Sequence, residues 1–195
     1  MYAKYVEDSG LGESVENVCR KYPCPKWNPC AVSAALHFYV ANDLEDVERT
    51  VEESQNKLHG LRSPSEVVKR GGNCVDKSVF LASLLSQVSG VEVRFLKYMM
   101  PDSGHLLLQV CFPEHPHEYV KGSLIMFYED VIGLGVDEFK FSMAQEESGE
   151  WLTCDPGLSL YIGDFEGLVE EGYMSDFDSP KAVIPETTDI TVERL

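Results

Sequence analysis

The stretch Ser63-Pro-Ser-Glu-Val-Val-Lys-Arg-Gly-Gly-Asn-Cys-Val-Asp-Lys-Ser-Val-Phe-Leu-Ala-Ser-Leu-Leu85 decides how this chain is read. It opens with a helix start signal: Ser63 at the N-cap, Pro64 at the first helical position, and Glu66 three residues on, a capping box. The short helix begun there stops at Gly71-Gly72. A second helix is expected from about Cys74 to Ser89, with Val75, Val79, Leu84, Leu85 and Val88 near helical spacing and Gly90 as its stop. One cysteine, Cys74, therefore stands at a helix N-terminus directly behind a glycine pair. The N–H groups without acceptors and the positive dipole end at that position favour a thiolate, the reactive form of the side chain. The glycines let backbone approach a substrate closely, so an N–H near Cys74 is a candidate oxyanion donor. Asp76 lies in the same first turn. Its charge suits the dipole but opposes a negative sulfur unless it is paired elsewhere.

Working outward from this stretch, Glu13 to Lys21 reads as a short helix halted before Pro23. Cys30 to Ala41 is apolar nearly all round and reads as a buried helix. Leu44 to Leu58, with Leu44, Val47 and Val51 on one stripe, reads as a surface helix. After Gly90 the period changes. Val91 to Met100, His105 to Phe112, Tyr119 to Tyr128 and Trp151 to Cys154 have the composition of strands, and a final strand is expected around Ala182–Ile184 or Ile190–Val192. Glu129 to Glu150 shows no dominant period. N-terminal helices followed by an antiparallel sheet make the expected fold class α+β. The 195 residues fit one domain spanning 1–195, a length at which about two-thirds of the unfolded surface can be buried.

The charge balance excludes whole classes of partner. Sixteen Lys and Arg stand against 33 Asp and Glu, a net charge of −17. A surface this acidic repels phosphate backbones and anionic lipid, so neither nucleic acid nor membrane is expected as a partner. Met1 to Gly10 holds no apolar run of the signal-peptide kind, and the expectation is a cytoplasmic protein whose six cysteines are reduced. Cys19, Cys24 and Cys30 have spacings unlike paired zinc knuckles, and His115-Pro-His117-Glu118 reads as a solvated turn. Walker A, GxGxxG, HExxH, GxSxG and EF-hand patterns are all missing, so no metal or cofactor is expected.

Two further residues complete a chemical pattern with Cys74. His105 opens a strand directly after Asp102-Ser103-Gly104, and Asp155 closes another in a Cys-Asp-Pro-Gly turn. A cysteine hydrolase needs a base for the thiol and a group that orients the base. With Gly71-Gly-Asn-Cys-Val-Asp76, Gly104-His105 and Trp151-Leu-Thr-Cys-Asp-Pro156 in this order, the chain resembles the transglutaminase-like superfamily, which shares the papain-like cysteine-hydrolase core. The resemblance covers about residues 60–160. It implies Cys74 as nucleophile, His105 as general base and then acid, and Asp155 as the orienter of the imidazole.

The chain departs from that pattern in several places. Fifty residues separate His105 from Asp155, so residues 114–149 read as an inserted strand and loop. The aromatic residue that often follows the histidine is replaced by Leu106. The second oxyanion donor is not defined, with Trp27, Asn28 and Gln55 as candidates. Arg70-Gly-Gly-Asn-Cys74 also echoes arylamine N-acetyltransferases, although those enzymes are longer and carry a third domain that this chain does not show. The resemblance implies a peptidase- or amidase-like acyl hydrolase working through a thioester. The alternatives are an amine acyltransferase, or a binding protein on the same fold. A peptide or amide substrate of cationic character fits the net charge.

Overall fold

The computed structural model of the protein describes residues 12–48, 61–99, 104–135, 138–141, 143–146, 149–173 and 189–194. The N-terminal part is helical, with α1 (Gly12–Lys21), α2 (Pro29–Asn42), α3 (Pro64–Arg70) and α4 (Cys74–Leu85). Among the described residues five strands follow: β1 (Glu92–Met99), β2 (Gly104–Cys111), β3 (Met143–Glu146), β4 (Gly149–Cys154) and β5 (Asp189–Arg194). They form one antiparallel sheet in the order β3-β4-β2-β1-β5, so β2 is its central strand. A helix α5 (His117–Met126) lies between β2 and β3, and a short α6 (Glu166–Glu170) follows β4. The fold class is α+β.

Burial explains why the strand with the plainest apolar run is central. Leu106, Leu108 and Val110 pack with α2 and α4 on one face of the sheet. On the opposite face Leu107 joins Leu96, Tyr98, Phe165 and Leu168 in a second cluster. A strand covered on both faces reads as a continuous apolar run, and His-Leu-Leu-Leu-Gln-Val-Cys does so. α2 is held at its start by Asn28, whose side-chain oxygen accepts from the N–H groups of Cys30 and Ala31, each at 3.1 Å. Asn28 is thus the N-cap, with Pro29 in the first turn. At α3 the expected box is present: the Glu66 carboxylate accepts from the Ser63 N–H at 2.9 Å and from its hydroxyl at 2.8 Å.

Four expectations change. Residues 119–128 are not a strand. Helix α5 occupies them and runs into a π-helical turn, Phe127–Ile132, which ends at Gly133 with φ +74°. β propensity of the aromatic and branched residues misleads here, because Val120, Leu124, Phe127 and Tyr128 recur at helical spacing and all four are buried. Among the described residues the interval 114–149 holds a helix and a π turn as well as the edge strand β3, so it is more than a strand and a loop. His117 starts α5 and bonds Glu150 through Nδ1, so it does not sit in a free turn.

Residues 44–48 are not helical either. Asp46 makes an isolated parallel bridge with Gly72, Leu44 is buried, and the Lys77 ammonium lies 2.8 Å from the Asp46 carboxylate. This segment docks on the α3–α4 turn instead of continuing a surface helix. The remainder of the expected helix, residues 49–58, and the strand alternative at 182–184 lie outside the described residues. The alternative at 190–192 falls within β5.

Gly122 offers a direct check that α5 is a helix. It is exposed in mid-helix, and a β-carbon there would meet nothing within 4 Å. Gly122→Ala is expected to stabilise the protein by about 0.5–1 kcal/mol through higher helix propensity. An unchanged or lowered urea midpoint would contradict the helical assignment.

Candidate functional site

The N-terminus of α4 is built by Asn73. Its side-chain oxygen accepts from the N–H groups of Val75 and Asp76, both at 3.1 Å, and its carbonyl accepts from Lys77 at 2.9 Å. Among the described residues the N–H of Cys74 has no acceptor, as expected for the first amide of a helix. Asp76 is paired elsewhere. One carboxylate oxygen accepts from the Arg62 N–H at 3.0 Å, and the other lies 3.6 Å from the Arg62 guanidinium and 3.4 Å from the Asn73 nitrogen. Its charge is thereby met by a cation in a buried pair.

The glycine pair serves the protein's own packing. Gly71 has φ +74°, and a β-carbon on it would lie 2.2 Å from the Glu45 carbonyl oxygen. A β-carbon on Gly72 would lie 2.6 Å from that of Asp76. The close approach that these glycines permit is to residues 45–47, where Gly72 donates to Glu45 at 3.0 Å and accepts from Val47 at 3.2 Å. Glycine is required at Gly71 by the approach of Glu45 and at Gly72 by the Asp76 side chain.

His105 is the second residue of the central strand, opposite Tyr98 of β1. One helical turn after Cys74, the Ser78 hydroxyl donates to the Leu106 carbonyl at 2.8 Å, tying α4 to β2 beside the histidine. Asp155 follows β4 and is fully buried. One carboxylate oxygen accepts from the N–H groups of Gly157 at 2.8 Å and Leu158 at 3.3 Å. The other lies 2.5 Å from His105 Nε2. The turn-capping role and the imidazole-orienting role of Asp155 are thus divided between its two oxygens.

With Nε2 engaged by Asp155, Nδ1 is the nitrogen left free on the imidazole, and the nearby Cys74 acts on its titration. Burial alone would lower the pKa of His105. The hydrogen bonds to Asp155 and Cys74, together with their charges, outweigh it and raise the pKa from 6.5 to about 10. Gly157 reports how tightly the three residues converge. A β-carbon on it would lie 3.3 Å from the Asp155 carboxylate and 3.8 Å from both the Cys74 β-carbon and His105 Cε1.

Residues that the sequence did not single out support this group. His37 of α2 is buried, with Nδ1 3.0 Å from the Tyr128 hydroxyl and Nε2 3.1 Å from the Asp155 carbonyl oxygen. The Tyr128 oxygen also accepts from the Ile162 N–H at 3.1 Å. Its proton therefore goes to Nδ1, and Nε2–H donates to Asp155. Burial lowers the His37 pKa, in keeping with this neutral form. Tyr173 covers the His105 ring at a centroid distance of 5.0 Å and 30°. A lone histidine inside an apolar helix was the legible signal for His37. Tyr128 was hidden by its assignment to a strand, while Gly157 and Tyr173 carry no local pattern.

The structure does not bring Trp27 or Asn28 to this site. Trp27 is 78% exposed and lines a cleft with Gln87, Val88 and Ser89, beyond the C-terminal end of α4. A helix of 12 residues puts that end about 18 Å from Cys74. Asn28 spends its side-chain oxygen on the start of α2 and its amide nitrogen on Ser123, 3.2 Å away. Gln55 lies outside the described residues. The described residues contain no group of three or more His, Cys, Asp or Glu disposed to hold a metal ion. No helix among them is long and apolar enough to cross a membrane. No protein-family model, curated protein or solved structure matches the chain.

The raised pKa of His105 makes stability depend on pH with a definite sign. Protonation favours the folded state, so this contribution is complete below about 6.5 and is lost as pH rises towards about 10. Urea midpoints measured across that range should fall with pH in the wild type and fall less in His105→Gln; equal slopes would exclude the linkage. Tyr128→Phe removes both the donor to His37 and the acceptor of the Ile162 N–H. It is expected to cost about 1–3 kcal/mol in urea unfolding.

Proposed function

We propose that the protein is a cysteine-dependent acyl hydrolase of peptidase or amidase type, built on a papain-like, transglutaminase-like core. The observation that carries this reading is the convergence of three side chains: His105 Nε2 lies 2.5 Å from the buried Asp155 carboxylate, and a β-carbon on Gly157 would lie 3.8 Å from both the Cys74 β-carbon and His105 Cε1. In this reading Cys74 is the nucleophile, His105 the base and then the acid, and Asp155 the group that holds the imidazole in place.

The Cys74 sulfur attacks an amide or ester carbonyl, forming a carbon–sulfur bond while the carbonyl electron pair moves onto oxygen. The N–H of Cys74, free of an acceptor among the described residues, is the donor for that oxyanion. As the intermediate collapses the carbon–nitrogen bond breaks, and His105 passes the thiol proton to the leaving amine. Water then attacks the thioester, His105 takes its proton, and the sulfur leaves and is reprotonated. Asp155 keeps Nε2 bonded and balances the imidazolium charge through the cycle. Substrates of neutral or cationic character suit a protein with a net charge of −17. An amine in place of water would turn the same thioester into an acyl transfer.

Alkylation kinetics test the site without knowledge of the substrate. With a mild alkylating agent near pH 6 and mapping by mass spectrometry, Cys74 should label faster than the buried Cys30, Cys111 and Cys154. His105→Ala should slow labelling of Cys74 by at least about tenfold. Acid quenching after exposure to activated esters should recover an acyl group on Cys74, released by hydroxylamine. An unchanged Cys74 rate in His105→Ala would remove His105 from the mechanism. Absence of any acyl adduct on a fast-labelling Cys74 would favour a binding protein over an enzyme.

A further inference from the structure

On the sheet face opposite α2 and α4, Phe165 and Leu168 pack with Leu96, Tyr98 and Leu107, and Tyr173 packs against this cluster. α6 is only five residues long, and backbone hydrogen bonds close its end. Gly172, at φ +77°, donates to the Val169 carbonyl at 3.0 Å, and the Tyr173 N–H donates to the Leu168 carbonyl at 2.8 Å. This pair of bonds is a Schellman motif, with glycine at its left-handed position and Tyr173 as the residue that folds back on the helix. The motif aims one aromatic ring. It lies over the His105 imidazole at 5.0 Å between centroids and 30° between planes, and edge-on to Tyr98 at 6.2 Å and 62°. Tyr98 and His105 are directly paired across β1 and β2, so a single ring contacts both members of the pair.

We propose that Tyr173 is a positioning residue for the reaction at Cys74: its ring holds the plane of the His105 imidazole and stabilises the imidazolium that forms when Cys74 gives up its proton. This role rests on the reading of Cys74, His105 and Asp155 as nucleophile, base and orienter. The contact with Asp155 holds the imidazole at one atom, Nε2. A ring held at one atom can still tilt, and a second ring stacked on its face removes that freedom. The separation of 5.0 Å is that of a favourable aromatic pair. It also lies within the about 6 Å at which an aromatic face attracts a cation, so the contact favours the protonated ring over the neutral one. His105 is 6% exposed, which leaves little water to stabilise its charge and gives the aromatic face a larger share of that work.

The groups around the imidazole come from four elements. Asp155 follows β4, Cys74 starts α4, Tyr98 lies on β1 and Tyr173 follows α6. Burial, with the Asp155 charge in support, raises the Tyr98 pKa to about 12, so Tyr98 brings no charge of its own while the imidazole titrates. Asp155 and a Cys74 thiolate favour the imidazolium by their charge. Tyr173 adds an uncharged contribution, which leucine removes without altering the charge of the site. Without it His105 releases its proton at lower pH, and the sulfur beside a looser, less stable imidazolium is held less often as thiolate.

The test compares the full wild-type chain with Tyr173→Leu and Tyr173→Phe. The Cε1 proton of His105, assigned by its absence in His105→Gln, is followed by NMR through a pH titration, and alkylation of Cys74 by iodoacetamide is timed near neutral pH. Tyr173→Leu is expected to weaken proton binding at His105 by about three- to tenfold and to slow alkylation by a similar factor. Tyr173→Phe, which keeps the ring, should restore both to the wild-type values. A merely structural role for Tyr173 would lower the urea midpoint of Tyr173→Leu and leave these two quantities in place. Either quantity unchanged in Tyr173→Leu, with His105→Ala still slowing alkylation, would overturn the role of Tyr173 alone. Alkylation that His105→Ala leaves unchanged would instead overturn the reading of Cys74 and His105 on which that role rests. Should Tyr173→Leu fail to fold, Tyr173→Met, a longer apolar side chain without a ring, carries the same comparison.

Discussion

A buried carboxylate has to be bonded on every side, and the Asp155 carboxylate sets the terms for much of this fold. Its charge has no solvent to stabilise it. It is held instead by the two amides of the following turn and by the His105 imidazole. Meeting that requirement fixes the exit of β4, the rotamer of a residue on the central strand and, through the Asp155 carbonyl, the side chain of His37 on α2. Together with the Ser78–Leu106 bond, these contacts tie the helical layer to the sheet by hydrogen bonds as well as by apolar packing. An orienting carboxylate of this kind is both a structural keystone and the group that raises the imidazole pKa.

The start of α4 shows the same economy. A first-turn carboxylate two residues after a cysteine places a charge at the helix start that needs a partner when the helix is considered alone. Asp76 answers that need by reaching back to the Asn73 N–H and across to Arg62, so that it stabilises the helix start while a cation meets its charge. Gly71 and Gly72 are needed because Glu45 and Asp76 fill the space where side chains would sit. The Ser78 bond to Leu106 then carries this rigid helix start to the edge of β2, where His105 stands.

The helical layer sets its thiols in different surroundings. At the N-terminus of α4 Cys74 lies beside His105 and Gly157. Near the C-terminal end of that helix, past Gln87 and Val88, Cys19 lines a cleft. Between them Cys30 and Cys154 are fully buried and their pKa values are raised by desolvation. Six cysteines in one reduced chain are thus chemically unequal, and the difference comes from neighbours and solvent access rather than from number.

Much of this was legible locally. The capping box at Ser63–Glu66, the helix start at Asn73-Cys74 and the apolar run of β2 depend on residues within one turn or one strand, where propensity and hydrogen-bond chemistry act without help. The order Cys74, His105, Asp155 was likewise visible in the chain. The identity of α5 was not apparent, since its aromatic residues suit either period until α2 is present to bury Val120 and Leu124. Nor could spacing show that His37 and Tyr128 brace Asp155, that Tyr173 covers His105, or that the glycine pair serves residues 45–47. The sequence by itself determined the candidates Cys74, His105 and Asp155, the helix starts at Ser63 and Asn73 and the apolar run of β2, because those depend on local patterns. The tertiary structure alone decided which groups meet, because hydrogen bonds and charge pairs form across distances in sequence that only packing of the sheet on the helices can close.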